Sequence, residues 1–336
     1  MKNKQVLLSG YVGGVGIHVM SEILANTNWE IIGLDSFRHK GYKDRFERVI
    51  EDHPEWRSRV TEIQHDLVCP INPEMIKKIG EIDYILHLAA MSDVFYSIEN
   101  PVYTIHNNIT STLMMLEYAR QIKPEAFIYF GTDESYGPVL KGFAHKEWST
   151  HRPSNPYSAS KAACEDICYS YWRSYDVPII ITNTMNNFST MQGSSKFPVI
   201  VQKKVEAGEV VTIHGNDKEI GTRFYIDSRD VGLALLRILE QGVYHHKTGE
   251  LDEPLRYHIV GEKSFSNLEL AQVIAKLMGK ELKYEIIDFH HNQPSHDIHY
   301  GLEDNKLSKM GWEPAPVEER LKDVIEWQTN NKEWLG

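Results

Sequence analysis

The sequence predicts an α/β chain with a doubly wound parallel sheet and a smaller C-terminal lobe. Over the first half, short apolar runs alternate with longer segments of helical character, the repetition that builds a parallel sheet with helices on both faces. Several runs are apolar throughout rather than alternating, as strands buried on both faces require. After about residue 185 that rhythm gives way to loops rich in Gly, Pro and His.

In chain order, strands are expected at Val6–Leu8, Ile31–Leu34, Val60–Ile63, Tyr84–Leu88, Phe127–Phe130 and Ile179–Thr182. Helices between them are expected at Ile17–Ala25, Ile105–Gln121 and Ser158–Tyr175. Residues 1–185 then form the first domain, with 220–240 returning to pack on it, while 186–219 and 241–336 form the lobe. Ser266-Asn267-Leu268-Glu269 reads as a capping box opening a helix through Leu277, because the Ser and Glu side chains satisfy early backbone N–H groups.

Composition narrows the function. The 336 residues carry 36 Lys and Arg against 47 Asp and Glu, a net charge of −11. Nucleic-acid binding needs clustered cations, so no such partner is expected. Cys69, Cys164 and Cys168 are too few for a disulfide framework, which points to a reducing compartment. Cys164 and Cys168, four apart, read as small packing residues at a helix interface. The start of the chain lacks a secretory leader pattern, and no run approaches the ~18 apolar residues of a membrane span. The expectation is a cytoplasmic chain without membrane partners. The cations from Arg38 to Arg48 read as a solvated face.

Directly after the first apolar run, Gly10, Gly13 and Gly16 stand in G-x-x-G-x-x-G spacing. Such a turn lets backbone approach a pyrophosphate and aims a helix N-terminus at the anion, a variant of the usual fingerprint of a Rossmann-type dinucleotide site. Asp35 ends the next run, where a carboxylate accepts hydrogen bonds from ribose hydroxyls and repels a 2′-phosphate, so the expected cofactor is NAD. Asp66 ends the third run and is a second candidate on the adenine side.

Two patterns carry chemistry. Tyr157 and Lys161 share a helix face at i and i+4, and a nearby ammonium favours phenolate. Thr132-Asp133-Glu134 follows the strand Phe127–Phe130, at the carboxyl end where ligands of open α/β sheets sit. Two adjacent carboxyl groups divide acid and base roles if their surroundings separate their pKa values. Taken alone, that triplet also reads as a solvated turn.

The three patterns in this order resemble the extended short-chain dehydrogenase/reductases, and within them the nucleotide-sugar 4,6-dehydratases, especially those acting on dTDP-glucose. The resemblance extends through His87-Leu88-Ala89-Ala90, Asn107-Asn108-Ile109, Pro156-Tyr157-Ser158-Ala159-Ser160-Lys161, Asn186-Asn187-Phe188 and Pro294-Ser295-His296-Asp297. It implies cofactor contacts from Val15, Leu67, Leu88, Ala89 and Ala90, beside Gly10, Gly13, Gly16, Asp35, Asp66, Tyr157 and Lys161. It implies substrate contacts from Ser92, Asn186, Asn187, Lys196, Arg223 and His296.

The implied reaction begins with Tyr157, assisted by Lys161, taking the sugar 4-hydroxyl proton while Thr132 hydrogen-bonds that hydroxyl and hydride leaves C4 for NAD. Glu134 then removes the C5 proton, Asp133 protonates the departing 6-hydroxyl, and hydride returns to C6. The product is a 4-keto-6-deoxy nucleotide sugar. A homodimer through helices near 105–121 and 158–175 is also implied.

The chain departs from the dTDP-glucose pattern at Asp93 and Tyr96, which stand where His and Arg are usual. Ser189-Thr190 replaces Gly-Pro, and Gly221-Thr222-Arg223-Phe224 stands in the place of Arg-Asp-Trp. These changes leave open which nucleotide and hexose are used. A 4-epimerase would need Tyr157 and Lys161 but no acid/base pair, and a non-catalytic NAD-binding module would need none of them. His290, His291, His296, Asp297 and His299 show no fixed ligand spacing, so no metal is expected.

Overall fold

The computed structural model describes residues 3–38, 42–216, 219–241, 253–288, 298–303 and 306–335. The apolar runs become strands and the periodic segments between them become helices. The first half runs β1 (Gln5–Ser9), α1 (Gly16–Asn26), β2 (Glu30–Asp35), α2 (Tyr42–Asp52), β3 (Val60–Gln64), α3 (Pro73–Ile79), β4 (Tyr84–His87), α4 (Val94–Glu99), α5 (Pro101–Ile122) and β5 (Ala126–Thr132). It continues with α6 (Pro156–Tyr175), β6 (Ile179–Thr184), β7 (Asn186–Phe188), α7 (Phe197–Ala207), β8 (Val211–His214), β9 (Thr222–Asp227) and α8 (Ser228–Gln241). The remainder is β10 (Leu255–Ile259), β11 (Ser264–Ser266), α9 (Asn267–Leu277), β12 (Tyr284–Ile287), α10 (Lys306–Lys309) and α11 (Val317–Asn330).

The main sheet has the order β10-β6-β5-β4-β1-β2-β3, every neighbouring pair parallel. Every residue of β4, β5 and β6 is buried. Successive side chains in a strand point to opposite faces, so each strand feeds two cores. Val6 and Leu8 of β1 pack with Val19, Met20 and Ile23 of α1 and with Val231, Leu235 and Ile238 of α8. Leu7 joins the other face, with Met115 and Leu116 of α5 and Cys164, Cys168 and Trp172 of α6. The two cysteines thus fill the α5–α6 interface, and α8 packs against α1 on the main sheet, whereas β9, from the same 220–240 segment expected to return, lies in the lobe.

One boundary moves. Residues 255–259, expected in the lobe, form β10 at the edge of the main sheet, paired in register with Ile180–Thr184. Arg256 and His258 give this strand a half-polar pattern that suggests solvent exposure. Both instead enter a buried polar cluster.

The lobe holds a three-stranded sheet β11-β9-β7 and a two-stranded one β12-β8 around their own core, with Val201, Val205, Ile213, Phe265, Leu270, Ile274 and Leu321. Its α9 opens on the capping box: Ser266 Oγ accepts from Glu269 N at 3.1 Å and Glu269 Oε2 from Ser266 N at 2.7 Å. The chain leaves β1 toward β2 and β3 on one side and continues through β4 on the other. That reversal opens a crevice at the carboxyl ends of β1 and β4.

Candidate active site

The crevice is a cleft of about 660 Å³ reaching from the glycine turn to the lobe. That volume lies within the ~300–1,000 Å³ of ligand sites generally. At its floor the chain leaves β1 through Gly10, whose φ of 71° favours glycine. Gly13 N donates to Gly10 O at 2.9 Å, and a Cβ on Gly16 would lie 2.0 Å from that same oxygen. The turn closes tightly enough to let a diphosphate approach backbone, and α1 begins at Gly16 with no side chain capping it. Its N-terminal N–H groups and dipole suit an anion.

Asp35, 5% exposed, ends β2 beside this turn, and its Oδ1 accepts from Phe37 N at 2.9 Å. Val15, Asp66, Leu67, Leu88, Ala89 and Ala90 line the same end of the cleft. Arg38 was not anticipated here: it donates to Asp66 Oδ1 at 3.0 Å, Asn107 Oδ1 at 3.1 Å and the Tyr103 hydroxyl at 3.0 Å. Arg45 overturns the solvated-face reading. It is 7% exposed and donates to Val12 O at 3.1 Å and Met191 O at 2.9 Å, tying the glycine turn to the lobe.

The second half of the cleft is built on β5 and α6. Thr132 ends β5, and a tight 3-10 turn, Asp133–Tyr136, follows at once. The Thr132 hydroxyl donates to Asp133 Oδ1 at 3.1 Å and lies beside the Tyr157 phenol. Asn155 caps α6, with Oδ1 accepting from Ser158 N at 2.9 Å, and its Nδ2 donates to Glu134 Oε2 at 3.0 Å. One cap residue therefore couples the helix carrying Tyr157 to Glu134. Lys161 is buried, donates to Phe130 O at 2.6 Å and lies 4.4 Å from the Tyr129 ring centre.

The electrostatics separate these groups. Asp133 is 3% exposed, and burial first, then the Glu134 carboxylate, push it up to about 7, against the pull of Arg223 and Thr132. Burial lowers Lys161. Tyr157 departs from expectation. Burial first, then the Glu134 carboxylate, hold its phenol above the ordinary value, with Thr132 pulling downward. The simple picture of an ammonium lowering the phenol omits the two carboxyl groups that the fold places beside it.

Ser92, Asn186, Asn187, Lys196 and Arg223 line the lobe side of the cleft. Arg223 donates to Thr222 O at 2.8 Å and Ile298 O at 2.7 Å and sits over the Tyr300 ring. Among the described residues the buried oxygens Asn187 Oδ1 and Gln192 Oε1 have no hydrogen-bond partner, which suits a ligand donor. Gln192 has no counterpart among the residues singled out from sequence, because nothing local marks it. His290, His291, His296 and Asp297 lie outside the described residues. His299 is engaged by Thr222 Oγ1 and Glu219 Oε1, each at 2.7 Å.

A family model described as GDP-mannose 4,6 dehydratase matches residues 7–324. A human protein named dTDP-D-glucose 4,6-dehydratase is 29% identical, the alignment covering 98% of this chain and 91% of the relative. The crystal structure of dTDP-glucose 4,6-dehydratase from Bacillus anthracis in complex with NAD superposes with a TM-score of 0.83 at 23% identity, covering 98% of both chains. UDP-glucose 4-epimerase from Thermotoga maritima superposes nearly as well, with a TM-score of 0.82 at 22% identity over 98% of this chain and 99% of the other. Shared fold therefore does not choose between elimination and epimerisation, whereas the match of nearly the whole sequence does choose a family. The chain belongs to the GDP-mannose 4,6 dehydratase family.

Proposed function

We propose that this chain catalyses NAD-dependent 4,6-dehydration of a nucleotide-activated hexose, with dTDP-glucose the first candidate. The observation that carries the reading is the buried Asp133 carboxyl, raised to about 7 beside Glu134, hydrogen-bonded to Thr132 and close to Tyr157. An epimerase needs no such acid.

The residues present fit NAD. A compact glycine turn that any Cβ at Gly16 would disrupt would hold the diphosphate, and the buried Asp35 would hold the adenosine ribose. Bound there, the nicotinamide supplies a hydride acceptor for C4 and a donor for C6. The chain's own groups do the proton chemistry. Tyr157 takes the 4-hydroxyl proton, and the Thr132 hydroxyl orients the same oxygen. Lys161 brings a buried positive charge to that end of the helix. Once C4 is a ketone the C5 proton is acidified, and Glu134 removes it. Asp133, holding a proton near neutrality, gives it to the departing 6-hydroxyl as water leaves. Two carboxyl groups with separated environments thus divide acid and base work.

The reading extends to a cytoplasmic homodimer. Its support is the free cysteines and the exposed Phe95, Tyr96, Val102 and Tyr103 on α4 and α5. Light scattering after size exclusion should give twice the chain mass. Among the described residues no helix is long and apolar enough to cross a membrane.

The test is incubation of purified protein with dTDP-, UDP-, GDP- and CDP-hexoses. A 4-keto-6-deoxy product is expected from at least one. Epimer formation without loss of water would overturn the proposal.

A further inference from the structure

Beneath the Thr132–Glu134 turn lies a buried polar cluster that the proton chemistry leaves unused. Its centre is Glu165, 1% exposed, on α6 two turns beyond Tyr157 and one beyond Lys161. Glu165 Oε1 accepts from Ser135 Oγ at 2.9 Å and from Asn183 Nδ2 at 2.8 Å. Glu165 Oε2 pairs with the Arg256 guanidinium of β10, and His151 Nε2 lies 3.2 Å away. Arg256 also donates to the Tyr136 hydroxyl and to Asn183 Oδ1, each at 3.1 Å.

This cluster grips the turn at both ends. Asn183 Nδ2 donates to Thr132 O at 3.1 Å, just before Asp133, and Ser135 is held just after Glu134. Gly131 seats directly on the cluster. A Cβ there would meet Asn183 Nδ2, Glu165 Oε1 and Thr182 O, each at 2.8 Å. Fold stability is a weak reason for such a device, since well-packed apolar residues often replace a buried ion pair without loss. Fixing a catalytic turn against a catalytic helix does give a reason, because small misplacements of reacting groups are costly.

We propose that Glu165, with Asn183 and Arg256, is a positioning group for the elimination step: it ties the Thr132–Ser135 turn to the helix bearing Tyr157 and Lys161, and so sets Asp133 and Glu134 against the sugar that Tyr157 oxidises. The inference rests on the dehydratase reading. Tyr157 and Lys161 are placed by α6 itself and its Asn155 cap, whereas the cluster holds the turn bearing Asp133 and Glu134, so loss of its grip should slow water loss far more than C4 oxidation, in which the turn supplies only Thr132.

Ser135→Ala removes one grip without leaving a buried charge, and Glu165→Gln removes the charge at the centre. Each is compared with wild type for product formation and, by stopped flow at the reduced-nicotinamide absorbance, for C4 oxidation. Thermal melting and retained NAD report folding. For folded variants, kcat for water loss should fall by about 10²-fold with KM unchanged, and reduced nicotinamide should accumulate during turnover. If Glu165→Gln does not fold, Ser135→Ala decides. Equal loss of both half-reactions, or full activity in a folded variant, would overturn the inference alone. A wild type that yields no 4-keto-6-deoxy sugar would sink the dehydratase reading and this inference with it.

Discussion

Asp133→Asn separates stability from catalysis at one atom. The native carboxyl sits at about 7 against an ordinary 3.8, a displacement caused by burial and the Glu134 carboxylate. The sign follows from proton counting. Below pH ~4 both folded and unfolded chains hold the proton, and Asp133 adds no pH-dependent cost. As pH rises the unfolded chain ionises first, so folding is progressively penalised, until above about 7 both states are charged and the penalty levels off. Taking those two values, the penalty is roughly 2 kcal/mol at pH 5 and roughly 4 kcal/mol at pH 8. Asn keeps the shape and carries no charge, so the variant should gain about 2–3 kcal/mol on wild type between pH 5 and pH 8. Denaturant unfolding at the two pH values reads this directly. Product formation in the same preparations should collapse, because the amide has no proton to give the 6-hydroxyl. A stability difference that is the same at pH 5 and pH 8 would refute the raised carboxyl, whatever the activity shows.

Further expectations are simpler to read. Glu134→Gln should still oxidise C4, seen as reduced nicotinamide, while product formation falls by about 10²- to 10⁴-fold. Normal turnover would remove Glu134 from the role of base. Gly16→Ala places a Cβ against Gly10 O and should cost about 1–3 kcal/mol in unfolding experiments, with loss of retained NAD. Asp35→Ser should narrow the preference for NAD over its 2′-phosphorylated form, measured as the ratio of dissociation constants, since the buried carboxylate that repels the phosphate is gone.

What was legible in sequence was local. The glycine turn depends on backbone geometry within a few residues, and the shared face of Tyr157 and Lys161 on one helical repeat, so spacing with its strand and helix context marks both as candidates. Strand ends locate Asp35 and Thr132 because a parallel sheet presents its ligands there. The supports were not legible, because each spans long separations. Arg45 reaches 146 residues to Met191, and Arg256 reaches 91 to Glu165. In the sequence both look like ordinary surface cations. Arg256 and His258 even disguise β10 as a half-solvated strand, when their polar ends complete a buried cluster.

The site imposes two demands that compete. Oxidation at C4 asks Tyr157 to give up negative charge's usual penalty and act as phenolate, while elimination asks for two carboxyl groups within reach of the same sugar. Glu134 is among the groups that hold the Tyr157 phenol up, and Asp133 acts in the same direction. Keeping Asp133 protonated eases the conflict, because a neutral carboxyl exerts far less repulsion on the phenolate and is the acid the second step requires. The burial that raises Asp133 therefore serves both halves of the reaction. Above its titration the site loses the proton for water and gains a second charge against Tyr157. Elimination should thus weaken as pH rises through that range, read as falling product formation while reduced nicotinamide still forms.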